Sequence, residues 1–388
     1  MRNMFLRLLV AFSLIVTSSF LGGCTIGKQS KTDKIDKKAQ SIKSIIDTYY
    51  LDEVDESKLE DGVYKGLVEG LEDPYSVYYT AEEYKKLQED TEGSYVGIGV
   101  SVRQDKATGY LLVVKSFENG PAYKAGIKDG DYILEVESKT VKGRDPDLVV
   151  KEIRGEEGSK VNIKFRQTST GKTLTEDIER HSVDVPTVEC QILEDGIGYI
   201  RISQFDKVTP EQFEEAKKKM DDQGANGVII DLRGNPGGVL GSVVTMLENM
   251  LPAGTICYTE DKNGEGETYT SDGKHAYIKP MVVLCDGNSA SAAEIFIGAV
   301  KDYKMATIVG TTTFGKGIVQ QLFNLGDGSA VKITTSKYYT PNGVCIHGDG
   351  IKPDIELEYD ESDMGDTYDI KKDNQVNKGI EVLKEKLK

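Results

Sequence analysis

Histidine is scarce in this 388-residue chain, which has three: His181, His275 and His347. His181 lies in a polar run after a β-rich stretch, His275 in a Gly/Asp/Lys loop, and His347 in a turn of Gly and Asp. These are settings of solvated loop histidines, although partners distant in the chain keep a Ser-His-Asp arrangement open at this level. Clustered metal ligands are also lacking. There is no HExxH, no paired CxxC and no His/Asp cluster, so no metal site is expected. Positive charge is in deficit, with 48 Lys and Arg against 64 Asp and Glu, a formal charge of -16. The Lys/Arg groups are short and lie among Asp and Glu, whereas nucleic-acid binding needs a basic face to release counterions; no nucleic-acid partner is expected. Cysteine is sparse as well. Cys190, Cys257, Cys285 and Cys345 have no metal-ligand spacing and are too few for a disulfide scaffold, so they read as isolated thiols.

The N-terminus begins Met1-Arg2-Asn3, then Arg7, then an apolar run Leu8 to Leu21 interrupted by Ser13, Thr17, Ser18 and Ser19. A basic start followed by such a run has the shape of a signal peptide. It ends in Leu21-Gly22-Gly23-Cys24, which resembles the lipobox of bacterial lipoproteins, where the cysteine thiol takes the lipid and becomes the new N-terminus. A plain signal peptide with an incidental cysteine, or a single membrane anchor, is the other reading. Either places the working domains outside the cytoplasm, and lipidation at Cys24 would hold them on the outer face of the membrane. Losing residues 1–23, with Arg2 and Arg7, would take the charge from -16 to -18.

At this length two or three compact units are expected, and 38% hydrophobic with 29% charged residues suits soluble globular cores. After a polar tether, 24–38, residues 39–92 read as helical: Ile42, Ile45 and Ile46, then Leu59, Val63, Leu67 and Leu71, recur at helical spacing. The turn Asp73-Pro74-Tyr75-Ser76 interrupts them. Residues 93–183 change to short strands punctuated by glycine, a small β-rich domain. Residues 184–360 alternate strands and helices, predicting an α/β core with a layered sheet. Residues 361–388 form an acidic linker and a terminal amphipathic helix with Ile380, Leu383 and Leu387 on one face.

Three segments of the core carry chemistry. Gly287-Asn288-Ser289-Ala290-Ser291-Ala292-Ala293-Glu294 follows the apolar strand Met281 to Cys285 and opens a helix. A serine there sits beside unpaired backbone N–H groups and the positive end of the helix dipole, although either serine equally suits a plain N-cap. Lys316, in Thr313-Phe314-Gly315-Lys316-Gly317-Ile318, has glycine and apolar neighbours. Burial disfavours its ammonium form, so it can serve as a base to the serine. If Ile318 to Leu322 is a strand, Lys316 and Gln320 face the same way, and Gln320 can orient the amine. Gly310 to Lys316 also fits seven positions of a phosphate-binding P-loop. Gly317 stands where Ser or Thr would hold magnesium, and strand-like residues follow instead of a helix, so that match is coincidental. The third segment, Asp231-Leu232-Arg233-Gly234-Asn235-Pro236-Gly237-Gly238, ends a strand in paired glycines whose amides can approach a ligand closely. It is either an oxyanion site or a structural turn.

Taken together, SASAAE, TFGKG with Ile318-Val319-Gln320, DLRGNPGG, Lys337 to Gly343 and Gly350 to Asp354 resemble the C-terminal processing peptidases, or tail-specific proteases, over nearly the whole mature chain. The resemblance implies a serine endopeptidase that works without metal, nucleotide or other cofactor, with a helical N-terminal segment, a PDZ domain and a protease core. It places the nucleophile at Ser291, the general base at Lys316 and the lysine-orienting group at Gln320. Oxyanion donors fall on Ala292 and one of Gly237 or Gly238. Ala293 departs from relatives that carry Ser. The β-rich unit takes the place of the PDZ domain, with Tyr95 followed by Val96, Gly97, Ile98, Gly99 and Val100 as the loop that binds a terminal carboxylate. Protein substrates with accessible C-terminal tails are the implied partners, and a homodimer through residues 39–92 and the final helix is a further expectation. The rival readings are a non-catalytic PDZ lipoprotein that binds exported tails, and a hydrolase of small esters that uses one of the histidines.

Overall fold

The computed structural model describes residues 31–118, 120–362 and 368–388; the expected signal segment and Cys24 lie outside them. Among the described residues the chain separates into two compact units, with the boundary between Val63 and Tyr64. The first holds α1 (Lys31–Tyr49) and the beginning of α2 (Glu56–Glu69). Lys43 Nζ bonds Asp47 at 3.0 Å and Glu56 at 2.9 Å, linking α1 to the start of α2. Ile42 and Ile45 of the expected helical face stay exposed. Within the second unit the remainder of 39–92 is not wholly helical. After the turn Asp73 to Ser76 comes a strand, β1 (Val77–Tyr79), and then α3 (Ala81–Glu92). Val-Tyr-Tyr suits a pleated surface, and it pairs antiparallel with residues 330–332, Val77 opposite Lys332. Thr80 and Glu83 cap α3 reciprocally, and Gly93 ends it at φ 69° in the left-handed region.

The β-rich region runs β2 (Ser94–Gly97), β3 (Val100–Gln104), β4 (Leu111–Ser116), α4 (Pro121–Lys124), β5 (Tyr132–Val136), β6 (Lys139–Thr140), α5 (Pro146–Ile153), β7 (Lys160–Arg166), β8 (Thr173–Glu179) and β9 (His181–Asp184). Its sheet has the order β3-β4-β5-β7-β8, with β6 beside β5. Alternation in Lys-Val-Asn-Ile-Lys-Phe-Arg sends Val161, Ile163 and Phe165 into one core with Ile98, Leu111 and Ile133, each burial contributing about 1.5–3 kcal/mol. β2 and β9 pair with each other, so the chain enters and leaves this region through adjacent strands.

The core continues with β10 (Val188–Ile192), β11 (Ile197–Ile202), α6 (Thr209–Asp222), β12 (Gly227–Asp231), α7 (Leu240–Glu248), β13 (Gly254–Asp261), β14 (Thr268–Ser271) and β15 (Met281–Cys285). Then follow α8 (Ala292–Asp302), β16 (Ala306–Gly310), β17 (Ile318–Asn324), β18 (Ala330–Tyr339), β19 (Ile355–Glu356) and α9 (Asn374–Lys386). The main sheet has the order β10-β11-β12-β15-β16-β19, parallel except where β10 meets β11. β12 and β15 are buried along their whole lengths, as strands covered on both faces must be. Val228, Ile230, Met281 and Val283 pack with α6, α7 and α8, while Ile229, Val282 and Leu284 pack with α9. The result is the expected layered α/β core. A second sheet of β1, β18, β13 and β14, with β17 also on β18, was not foreseen. In α9 the buried contacts are Val376, Val382 and Leu383, whereas Leu387 at the helix end is 42% exposed and leaves the expected apolar face. The four cysteines from Cys190 onward are free thiols.

Candidate active site

Three parallel strand ends, β12, β15 and β16, open onto the turns that carry the predicted residues. The turn after β15 puts Ser291 at the N-cap of α8 with φ 55° and ψ -116°. Such a conformation costs a non-glycine residue on the order of 1–3 kcal/mol and must be held by its surroundings. Ser289 is occupied structurally. It is fully buried, and its hydroxyl donates to the Leu232 carbonyl at 2.8 Å and approaches Asp286 at 3.2 Å. Ser291 therefore is the serine left facing the turn. The Ala292 N–H beside it donates to no group among the described residues.

Glu294, one turn along α8 and fully buried, organises the site. Its carboxylate accepts the Ser291 N–H at 2.9 Å, the Thr313 hydroxyl at 2.6 Å, the Gly315 N–H at 2.7 Å and the Lys316 N–H at 2.8 Å. One side chain thus joins the backbone of Ser291 to that of Lys316. The spacing Ser-x-x-Glu, a capping-box signature, was visible in the sequence; its second set of bonds was not. Gly315 and Gly317 fit a crowded passage, since a Cβ on Gly317 would lie 2.6 Å from the His347 backbone nitrogen and one on Gly315 2.9 Å from that of Gly350.

The glycine turn after β12 comes up against Ser291. A Cβ on Gly237 would stand 2.8 Å from Ser291 Cβ and 2.9 Å from the Ala292 nitrogen. The Gly237 N–H is used, donating to Asn235 Oδ1 at 2.8 Å, while the Gly238 N–H donates to no group among the described residues. Asn235 also donates to the Ile202 carbonyl at 2.8 Å, and its own carbonyl accepts the Ala290 N–H at 2.9 Å. Arg233 braces the turn from behind. It donates to both oxygens of fully buried Asp231, at 2.9 and 2.6 Å, and reaches Asp373 at 2.9 Å and Gln375 Oε1 at 2.8 Å at the start of α9. Burial alone would lower the Arg233 pKa, but Asp231 and Asp373 hold it raised. Tyr199 donates to Asp231 at 2.6 Å; burial and that carboxylate push its phenol far up.

Lys316 is half-buried just before β17. Burial, reinforced by Lys332, lowers its pKa from the ordinary lysine value, while Asp73 and Glu294 oppose the shift. Its amine lies over the Tyr75 ring, 4.7 Å from the centroid, and no hydrogen bond joins it to Ser291 Oγ among the described residues. Gln320 donates through Nε2 to Thr334 Oγ1 at 3.3 Å. Lys316 lies two residues ahead of β17, so the alternation expected to put it on one face with Gln320 starts outside the strand; the register shift beside Val319 and Gln320 leaves its extra residue, Thr335, in β18. His181, His275 and His347 are all exposed.

Of the expected carboxylate-binding loop, Val96 and Gly97 lie in β2, Ile98 is fully buried, Gly99 takes φ 78°, and Val100 begins β3. Between β3 and α5 runs a groove of about 220 Å³ lined by Tyr95, Ile98, Val100, Val102, Ile153 and Arg154, among others. Arg154, which sequence reading passed over, stacks 4.6 Å from the Tyr95 ring centroid and pairs with Glu89 at 3.3 Å. Its Nε is buried without a partner among the described residues.

Comparison with known proteins agrees with this architecture. Residues 196–357 match peptidase family S41, residues 113–167 a PDZ domain, and residues 23–83 the N-terminal domain of the activating protease CtpB. The chain is 38% identical over 352 residues to carboxy-terminal processing protease CtpA of Bacillus subtilis, covering 90% of this chain and 74% of that one. It is 36% identical to CtpB of the same organism, covering 86% and 70%. A solved photosystem II D1 C-terminal processing protease is 28% identical, covers 82% of this chain and 86% of its own, and superposes with a TM-score of 0.48. With a PDZ unit, an α/β core and this degree of identity to processing proteases, the chain belongs to peptidase family S41 as a serine-type carboxy-terminal processing protease.

Proposed function

We propose that this protease cleaves exported proteins near their C-termini with Ser291 as nucleophile and Lys316 as general base. The observation that carries the proposal is the Glu294 carboxylate, which accepts the backbone N–H groups of both residues and so ties the two segments that bear them to one side chain. Neutral Lys316, favoured by burial, takes the Ser291 proton as Oγ bonds to the substrate carbonyl carbon. The lysine reaches Ser291 by rotation of its flexible stem, and Gln320 orients the amine. The N–H groups of Ala292 and Gly238, rather than Gly237, stabilise the oxyanion. Lys316 then returns the proton to the leaving amine as the C–N bond breaks. A water molecule releases the acyl group by the same steps, and the serine is restored.

The PDZ groove accounts for tail selection: an extended peptide adds to the edge strand β3, and the guanidinium of Arg154, which lines the groove, supplies the positive charge for the terminal carboxylate. Mass spectrometry of products from an unstructured substrate, offered with a free or an amidated C-terminus, tests both parts. Faster cleavage of the free-acid form is expected. Arg154→Ala should weaken selection for that form by about tenfold to a hundredfold, the worth of a hydrogen bond to a charged group. Equal cleavage of the two substrates by wild type would remove tail recognition and leave the peptidase chemistry standing.

Export and lipid attachment rest on the lipobox-like Leu21-Gly22-Gly23-Cys24 after an apolar run. Labelled palmitate is expected on the wild-type protein in a bacterial host and not on Cys24→Ser; equal labelling of both would refute attachment at Cys24.

A further inference from the structure

The ring under the Lys316 amine belongs to Asp73-Pro74-Tyr75-Ser76, a turn with no part in the reaction as written above. That turn is fixed from several sides. The Asp73 carboxylate accepts the Tyr75 N–H at 3.0 Å and the Ser76 hydroxyl at 2.6 Å, and Ser76 Oγ accepts the Thr334 N–H at 3.1 Å. Thr334 is also the residue that holds Gln320. The turn is therefore docked on β18, beside the strand that follows the base, with the Tyr75 ring held half-buried against the lysine. A ring face attracts an ammonium group and has little hold on a neutral amine. Lys316 becomes an ammonium group as Ser291 gives up its proton, so the ring acts on the form that develops in the transition state.

We propose that Tyr75 is a positioning residue of the proteolytic reaction, its ring face locked by Asp73, Ser76 and Thr334 so that it holds the Lys316 ammonium and sets the pH range in which the base works. The inference rests on the proposed Ser291/Lys316 chemistry. The other charged groups that face Lys316 are Asp73 from the same turn, Lys332 from β18 and Glu294 from α8. Lys332 has a ring of its own, 5.3 Å from the Tyr79 centroid. Tyr75 acts with Asp73 and Glu294 in favour of the ammonium form, against burial and Lys332.

The test is the pH dependence of kcat/KM for the full chain, in wild type and variants at position 75. Removing the ring in Tyr75→Leu favours the neutral amine in the free enzyme, so the rising limb moves to lower pH by about 0.4 to 1.5 units. The high-pH plateau falls about 2-fold to 30-fold, because the developing ammonium loses its partner. Tyr75→Phe keeps the ring face and holds the limb in place. Tyr75→trifluorophenylalanine keeps the ring's volume but weakens the charge on its face; it should move the limb like leucine, and it covers the case in which Tyr75→Leu does not fold. A limb that stays fixed in both Tyr75→Leu and Tyr75→trifluorophenylalanine, whether or not the plateau falls, would reduce Tyr75 to packing and overturn the inference. Failure of the underlying chemistry would show separately, as wild-type cleavage that survives Lys316→Ala.

Discussion

Ser291→Ala and Lys316→Ala are each expected to lower the single-turnover cleavage rate by about 10⁴-fold or more, and the double variant to be no slower than the slower single one. Groups that act as one unit in a reaction lose nearly everything when either is removed. Lys316→Arg should fail equally, because a guanidinium keeps its proton at any usable pH. Ser289→Ala supplies the contrast: its hydroxyl bonds Leu232 and Asp286 inside the turn, so its loss should reduce stability far more than it alters the chemical step. In wild type the rate should rise with pH. A lysine base works once deprotonated, and burial together with Lys332 brings that change below the ordinary lysine value. Rates measured by mass spectrometry on a tailed substrate decide the matter: cleavage in Lys316→Ala close to wild type would end the lysine-base assignment.

The three segments that come together were legible because each is a local pattern, an apolar strand followed by a turn of small residues, and in two of them a helix. Such patterns survive without tertiary information. What escaped is what depends on partners far along the chain. Asp373 meets Arg233 across 140 positions, and Ser76 meets Thr334 across 258. No spacing rule connects such residues, so Asp73 to Ser76 looked like a helix breaker and the start of α9 like the end of an acidic linker. The strand β1 failed for the same reason: three residues become a strand through β18 and not through their own periodicity. Counting in twos applies from Ile318 onward, where β17 begins, and Lys316 lies outside that range. Arg154 carried no sequence signal at all; its unpartnered, buried Nε is visible only in the folded groove.

Glu294 carries the largest expected effect on stability. Its carboxylate receives four donors, three backbone N–H groups and the Thr313 hydroxyl, which is about the full acceptor capacity of such a group. Glu294→Ala removes the acceptor of all four donors, at about 1–3 kcal/mol for each one left buried and unsatisfied. Part of that cost is relieved by relaxation or by water entering the cavity, so a net loss of about 3–5 kcal/mol is expected, a large fraction of a typical domain's stability. Glu294→Gln should recover some of it, because the amide oxygen still accepts, but its NH₂ group is set against donors and cannot serve all four. Urea unfolding followed by fluorescence or circular dichroism gives the stability order wild type, Gln, Ala. Cleavage should fall further than the stability loss accounts for, measured where each variant remains folded, because the same four bonds fix the strained Ser291 backbone and the segment bearing Lys316. A Glu294→Gln variant with wild-type stability and wild-type kcat/KM would show that the carboxylate holds neither the fold nor the site.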